Sequence, residues 1–168
     1  MLKAQQVIET LKLIPHPEEG GFYRETYRCK ESIDKDALPM RYMGDRDFST
    51  CIYYLLTPDT FSHIHRLQSD EIFHFYLGDP CEMVQLAPDG EGIKVTLGQD
   101  IANEQHVQVT VKKNIWQGMR LKKGGKFALL GTTVAPSFEF QDYEHGDRIS
   151  LVEKYPEYKE IITKLTKS

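Results

Sequence analysis

Ala4, Val7, Ile8, Leu11 and Ile14 recur at helical spacing with polar residues between them, and Pro15 and Pro17 then stop the pattern. The spacing gathers the apolar side chains on one face, which predicts an amphipathic helix over about 3–14 lying on a larger body. From Phe22 onward the period changes to short β-rich runs: 22–28, 48–56, 61–65, 71–77, 82–86, 93–97, 106–111, 116–121 and 127–134. Pro58-Asp59, Gly78-Asp79-Pro80, Pro88-Asp89-Gly90 and Lys123-Gly124-Gly125 separate several of them, so the runs read as strands joined by turns. No ten-residue helical pattern interrupts them. Crossover helices and a parallel sheet are therefore disfavoured, and an antiparallel barrel or sandwich is expected. After Pro156, the residues Tyr158, Ile161, Ile162 and Leu165 again share a face, which predicts a closing helix over about 156–166. The expected organisation is one domain over 1–168, an all-β barrel over about 21–145 with a helix at each end.

Composition narrows the function classes. At 168 residues the chain holds one core of ordinary size, and its 40% hydrophobic and 27% charged content is that of a folding chain. The net charge is −4 and the lysines and arginines are spread along the sequence, so nucleic acid is not an expected partner. The most apolar stretches, such as 51–56, are strand-length, and the opening residues are polar, so neither a membrane span nor a secretory leader is expected. A cytoplasmic location follows as the expectation. Cys29, Cys51 and Cys81 are odd in number and lack C-x-x-C spacing, which points to reduced structural thiols.

Three of the six histidines, His63, His65 and His74, fall within twelve residues. On a regular strand His63 and His65 project from one face, where Glu71 on the next strand could meet them. Two imidazoles and a carboxylate suit zinc, iron, nickel or manganese, although His-x-His pairs are also common on solvated strands. Glu71 alternates with Phe73 and Phe75 and so faces the interior, where an acid must pair, bind a ligand or take up a proton. His74 has the opposite parity and points away unless a bulge intervenes. Trp116, beside Gln117, offers a flat apolar wall for a pocket. Arg24, Arg28 and Arg66 are candidates for an anionic ligand group, against surface ion pairing as the bland alternative. Asp45, Asp47, Asp142 and Asp147 read as turn residues. Ser62 and Thr50 carry no nucleophile motif.

The order His63-x-His65, Glu71, then Gly78 resembles the first signature of the cupin superfamily, small antiparallel jelly-roll barrels that often hold a metal in the lumen. A second register starts the signature at His65, fits the spacing to Glu71 and places Leu67 at the second histidine position. The second signature falls on 112–117 and puts Gln117, a poor metal ligand, at its histidine position. Segments 16–28, 49–56, 61–74, 116–117 and 135–140 are similar to one cupin branch, catalogued as a domain of unknown function (DUF985). The resemblance implies a single-domain cupin-type antiparallel jelly roll, a homodimer and a ligand-sized lumen, with a fold similar to that of metal-free nucleotide-sugar epimerases. On this reading His65 and Glu71 are the catalytic pair, and His63, His74, Arg24, Arg66, Trp116 and Gln117 contact the ligand. Phe73, Phe75 and Trp116 are the expected aromatic walls. The ligand is a small molecule, a sugar or nucleotide sugar, transformed by isomerase- or epimerase-like acid/base chemistry. No cofactor is expected beyond, at most, a weakly held divalent metal. Two alternatives stay open: a non-catalytic binder of a small metabolite, and a metal-dependent enzyme using His63, His65 and Glu71.

Overall fold

The computed structural model describes residues 2–167. The first helix, α1 (Ala4–Leu11), ends three residues before its expected limit because Lys12 turns into the left-handed region (φ 53°), its N–H bonding back to Ile8 and Glu9 carbonyls. Ile14 then leaves the helical pattern and joins a two-residue strand, β1 (Ile14–Pro15), paired with β2 (Phe22–Arg28). A short ribbon follows in the long loop, β3 (Ser32–Ile33) with β4 (Arg46–Asp47). The remaining strands are β5 (Thr50–Leu56), β6 (Phe61–Arg66), β7 (Asp70–Gly78), β8 (Cys81–Leu86), β9 (Gly92–Leu97), β10 (Gln108–Val111), β11 (Trp116–Leu121), β12 (Ala128–Ala135) and β13 (Glu144–His145). Each of the nine expected runs is a strand.

They form two facing antiparallel sheets, in the orders β1-β2-β5-β12-β7-β10 and β13-β6-β11-β8-β9. The period-two alternation explains the layering, since inward residues such as Tyr54, Phe73, Phe75, Met83, Met119 and Leu130 meet in one core between the sheets. Outward residues of the six-stranded sheet receive α1, whose Val7 packs with Leu55 and Leu129. The other sheet is covered by α2 (Arg148–Lys154), a 3₁₀ turn (Pro156–Tyr158) and α3 (Lys159–Lys164), with Leu151, Tyr155, Ile161 and Ile162 packed on Ile64, Val84 and Leu86. The closing helix is thus shorter than its expected range, and α2 is an addition, started by Asp147, whose carboxylate accepts from Ser150 N. No helix among the described residues is long and apolar enough to cross a membrane.

Candidate functional site

The site begins with an irregularity in β6. Gln117 of β11 stands opposite His65, but Met119 stands opposite Ser62, so three steps on β6 match two on β11. This β-bulge changes the parity of β6 in mid-strand. His65 and Ser62 turn toward the interior. His63 turns instead toward β13 and the C-terminal segment, where its Nε2 accepts from Lys167 N (2.7 Å) and lies 3.2 Å from His145 Nε2. The expectation that His63 and His65 share a face is therefore corrected. The backbone groups at the bulge find partners outside the sheet: His63 N donates to Glu19 O, Ile64 N to Leu165 O, and Gly146 N to Ile64 O.

The loop carrying Glu19 is fixed by the glycines that follow it. Gly20 and Gly21 have φ of 93° and 70°, and a Cβ at Gly20 would come within 2.5 Å of Phe61 O. Glu19 is thereby pressed against β6, where its Oε1 accepts from Ser62 Oγ (2.6 Å) and its Oε2 lies 4.0 Å from His65 Nε2.

His65 is 1% exposed and its tautomer is set by geometry. Its Nδ1 faces the His63 carbonyl at 2.7 Å and must donate, which leaves a lone pair on Nε2. That nitrogen accepts from Gln117 Nε2 (2.9 Å), whose second N–H goes to Glu71 Oε2 (3.0 Å). One carboxamide thus links the imidazole and the carboxyl, and its own Oε1 is buried without a partner. Burial, together with the negative charge of Glu19, pushes the Glu71 carboxyl up to about 8, against a hydrogen bond from Thr132 that favours the charged form. The Tyr143 ring stacks on His65 (centroids 4.8 Å apart) and its hydroxyl meets His145 Nδ1 at 3.0 Å. Burial raises the Tyr143 phenol and lowers the His16 imidazole. His63 is pushed down to about 4 by burial and then by His145 and Lys167.

Of these groups His16, Glu19, His65, Glu71 and Tyr143 border a cavity of about 290 Å³, together with Tyr23, Phe138, Phe140 and the aliphatic Ile52, Leu67 and Val134, whereas Gln117, expected to contact the ligand, lies behind His65 and Glu71 and outside the lining. Several expected site residues lie elsewhere. Phe73 and Phe75 belong to the core beneath the cavity. Trp116 packs under the C-terminal helices, with the Arg66 guanidinium 4.4 Å above its ring, and Arg66 itself forms a two-pronged pair with Glu144. Arg24 lies over Tyr53, and His74 bonds Thr133 Oγ1 (3.1 Å) and Gln108 (3.2 Å), both outside the cavity lining. Asp142, read as a turn residue, is instead half of a buried ion pair with Arg46. Sequence reasoning missed Glu19, His16 and Tyr143. The only signal was the Glu18-Glu19-Gly20-Gly21 run, a tight turn that presents acids.

A family model described as Cupin superfamily (DUF985) matches residues 5–146. The chain belongs to this cupin family. Its similarity to the Shewanella oneidensis protein SO0799 covers 99% of both chains at a TM-score of 0.87 and 34% identity. A hypothetical protein from Leishmania major gives a TM-score of 0.88 at 27% identity, over 99% of this chain and 100% of that one. The yeast protein YML079W, uncharacterised, from Saccharomyces cerevisiae (strain ATCC 204508 / S288c), is 29% identical over 147 residues, covering 83% of this chain and 73% of its own.

Of the two signature registers, the one starting at His65 is the one that brings His65, Leu67 and Glu71 together at the cupin cavity. The metal that cupin barrels often hold does not fit these residues. Leu67 offers no donor atom, and Gln117 turns N–H groups, which repel a cation, toward the two groups that remain. Among the described residues no three His, Cys, Asp or Glu side chains are grouped as a metal site.

Proposed function

We propose that the cavity is a metal-independent acid/base site for a small ring-shaped polar molecule, a sugar in the first instance, acting as an isomerase or epimerase. The observation that carries this reading is the pairing across Gln117 of a carboxyl that keeps its proton near neutrality with an imidazole nitrogen that bears a lone pair. Two groups whose surroundings set opposite protonation roles are what proton transfer next to a carbonyl requires. His65 Nε2 takes the proton from the carbon beside the carbonyl while Glu71 gives its proton to the carbonyl oxygen, which yields the enediol. Return of the His65 proton to the former carbonyl carbon, while the hydroxyl proton on the neighbouring oxygen passes to Glu71, completes an isomerisation with both residues as they began; epimerisation requires in addition that the enediol turn over, so that the proton returns to the opposite face of the first carbon. Glu19, 4.0 Å from His65 Nε2, is placed to stabilise the imidazolium formed in between.

Cavity size refines the ligand. A space of about 290 Å³ is at the lower end of small-molecule sites, so a sugar ring fits and an attached nucleotide would lie outside. The test is solvent exchange. Aldoses and ketoses incubated with the protein in heavy water should gain deuterium at the carbon beside the carbonyl, and His65→Ala and Glu71→Gln should each abolish the gain. Saturable binding without any exchange would refute the enzyme and leave a binding protein.

A further inference from the structure

We propose that the ligand of this cavity carries a positive charge, so that an ammonium-bearing small molecule, such as an amino sugar, is preferred over neutral and anionic counterparts of the same shape. The inference rests on the cavity being the ligand site, as above, but not on any sugar chemistry.

The argument starts from the one guanidinium on the cavity lining. Arg28 has five N–H groups. Nε donates to Glu25 Oε1 (3.1 Å), Nη2 to Glu25 Oε2 (3.0 Å) and Phe138 O (3.3 Å), and Nη1 to Asp47 Oδ2 (2.9 Å) and Glu139 Oε1 (2.8 Å). Every donor is taken. Three carboxylates therefore share one guanidinium, and none of its hydrogen bonds is left for an incoming anion. No lysine borders the cavity. The two histidines that do are uncharged in this geometry, because His16 Nδ1 accepts from Glu19 N (2.9 Å) and His65 Nε2 accepts from Gln117. Glu25 and Glu139 thus face the cavity sharing one counter-charge with Asp47, and Glu19 faces it bonded to the neutral Ser62 hydroxyl.

The rest of the wall is aromatic. Phe138 and Phe140 meet edge to face (5.2 Å) and Tyr23 packs on His16 (4.5 Å), all bordering the same space. Ring faces attract cations and carboxylates complete the attraction, whereas a carboxylate or phosphate would be repelled by the glutamates without gaining a free cationic partner. An ammonium group satisfies both halves of the wall at once.

The test uses three probes with one shape and three charges at neutral pH: tert-butylammonium, tert-butanol and pivalate. Binding is followed through the NMR signals of the Tyr143, Phe138 and Phe140 rings. Tert-butylammonium should shift these signals at about tenfold lower concentration than tert-butanol, with pivalate weakest, and its advantage should shrink as salt is added. Glu139→Gln, a half-exposed change that leaves Arg28 its Glu25 and Asp47 partners, should weaken tert-butylammonium binding more than tert-butanol binding and so reduce the ammonium preference about threefold or more. If pivalate or tert-butanol matches or exceeds tert-butylammonium, the inference falls, whatever the exchange experiment shows. Absence of a saturable shift with tert-butylammonium also overturns it. A clear ammonium preference in a protein that exchanges no sugar proton would sustain the inference and refute the sugar chemistry.

Discussion

Replacing Glu71 by Gln isolates the buried proton. An ordinary glutamate in the unfolded chain titrates near 4.5, and burial beside Glu19 raises Glu71 to about 8 in the folded protein. The folded state therefore binds more protons than the unfolded state between these values, and stability falls as pH rises through the interval. The full slope is about 1.4 kcal/mol per pH unit, and allowing for its decline near pH 8 Glu71 alone should contribute a loss of about 2 kcal/mol between pH 6.5 and 8.5, read as the difference between wild type and Glu71→Gln. The window is bounded by other groups. Below about 7, His63, held down to about 4, and the likewise lowered His16 and His145 act with the opposite sign, because each unfolded imidazole takes up a proton that the folded one refuses. Above about 9, Cys81, pushed up to about 12 by burial, adds a loss of its own. Gln has nearly the shape of the protonated acid and no proton to lose, so Glu71→Gln should lack this loss, and the two curves should diverge by about 2 kcal/mol across the window. Urea denaturation followed by circular dichroism at four or five pH values measures both curves. Parallel curves for the two proteins would show that Glu71 is not the group that titrates and would remove the general acid from the proposed mechanism.

Two further outcomes follow from the packing. Arg46 is fully buried and holds Asp142 with two hydrogen bonds (2.6 and 3.0 Å), so Arg46→Ala should cost about 3–5 kcal/mol in the same denaturation assay by stranding a buried carboxylate, and adding Asp142→Asn should recover part of it; a loss below about 1 kcal/mol would refute the pair's role. The homodimer implied by the family resemblance should appear in light scattering at micromolar concentration, because the six-stranded sheet leaves Tyr27 and Tyr76 half exposed, and a mass of 19.4 kDa would refute it.

The strands were legible because alternation is a local property, and Phe73 and Phe75 against His74 and Tyr76 is enough to assign both faces of β7. The same rule, carried one step further, disposes of Trp116 as a pocket wall. Adjacent strand residues face opposite ways, so once Gln117 is directed inward Trp116 must point out. What local pattern could not reveal was the bulge in β6. Nothing in Phe61-Ser62-His63-Ile64-His65 marks the extra residue, because its cause lies far away in the chain, where Glu19, Gly146 and Leu165 supply the backbone partners that make the irregular strand tolerable. Glu19 and Tyr143 escaped notice for the same reason, since each reaches the cavity from a loop whose position is set by tertiary contacts, whereas Arg28, a candidate for holding an anion, stands on β2 with its donors taken by Glu25, Asp47, Glu139 and the Phe138 carbonyl. Helix α2 was missed because seven residues carry too little periodicity to stand out from a loop.

The bulge also bears on why the proposed mechanism uses protons and no metal. With His63 turned away and Leu67 and Gln117 at ligand positions of the signature, one imidazole and one carboxyl of the cupin set remain at the cavity. A second carboxylate, Glu19, stands close enough to raise the energy of charging Glu71 further. Two buried carboxylates side by side require a compensating charge. In a metal-holding barrel the cation supplies it; here Leu67 and the N–H groups of Gln117 bar a cation from that place, and a proton on Glu71 meets the requirement instead. The feature that makes these residues poor metal ligands is therefore the one that keeps a carboxylic acid protonated near neutrality beside an unprotonated imidazole nitrogen, the arrangement on which the proposed acid/base chemistry rests.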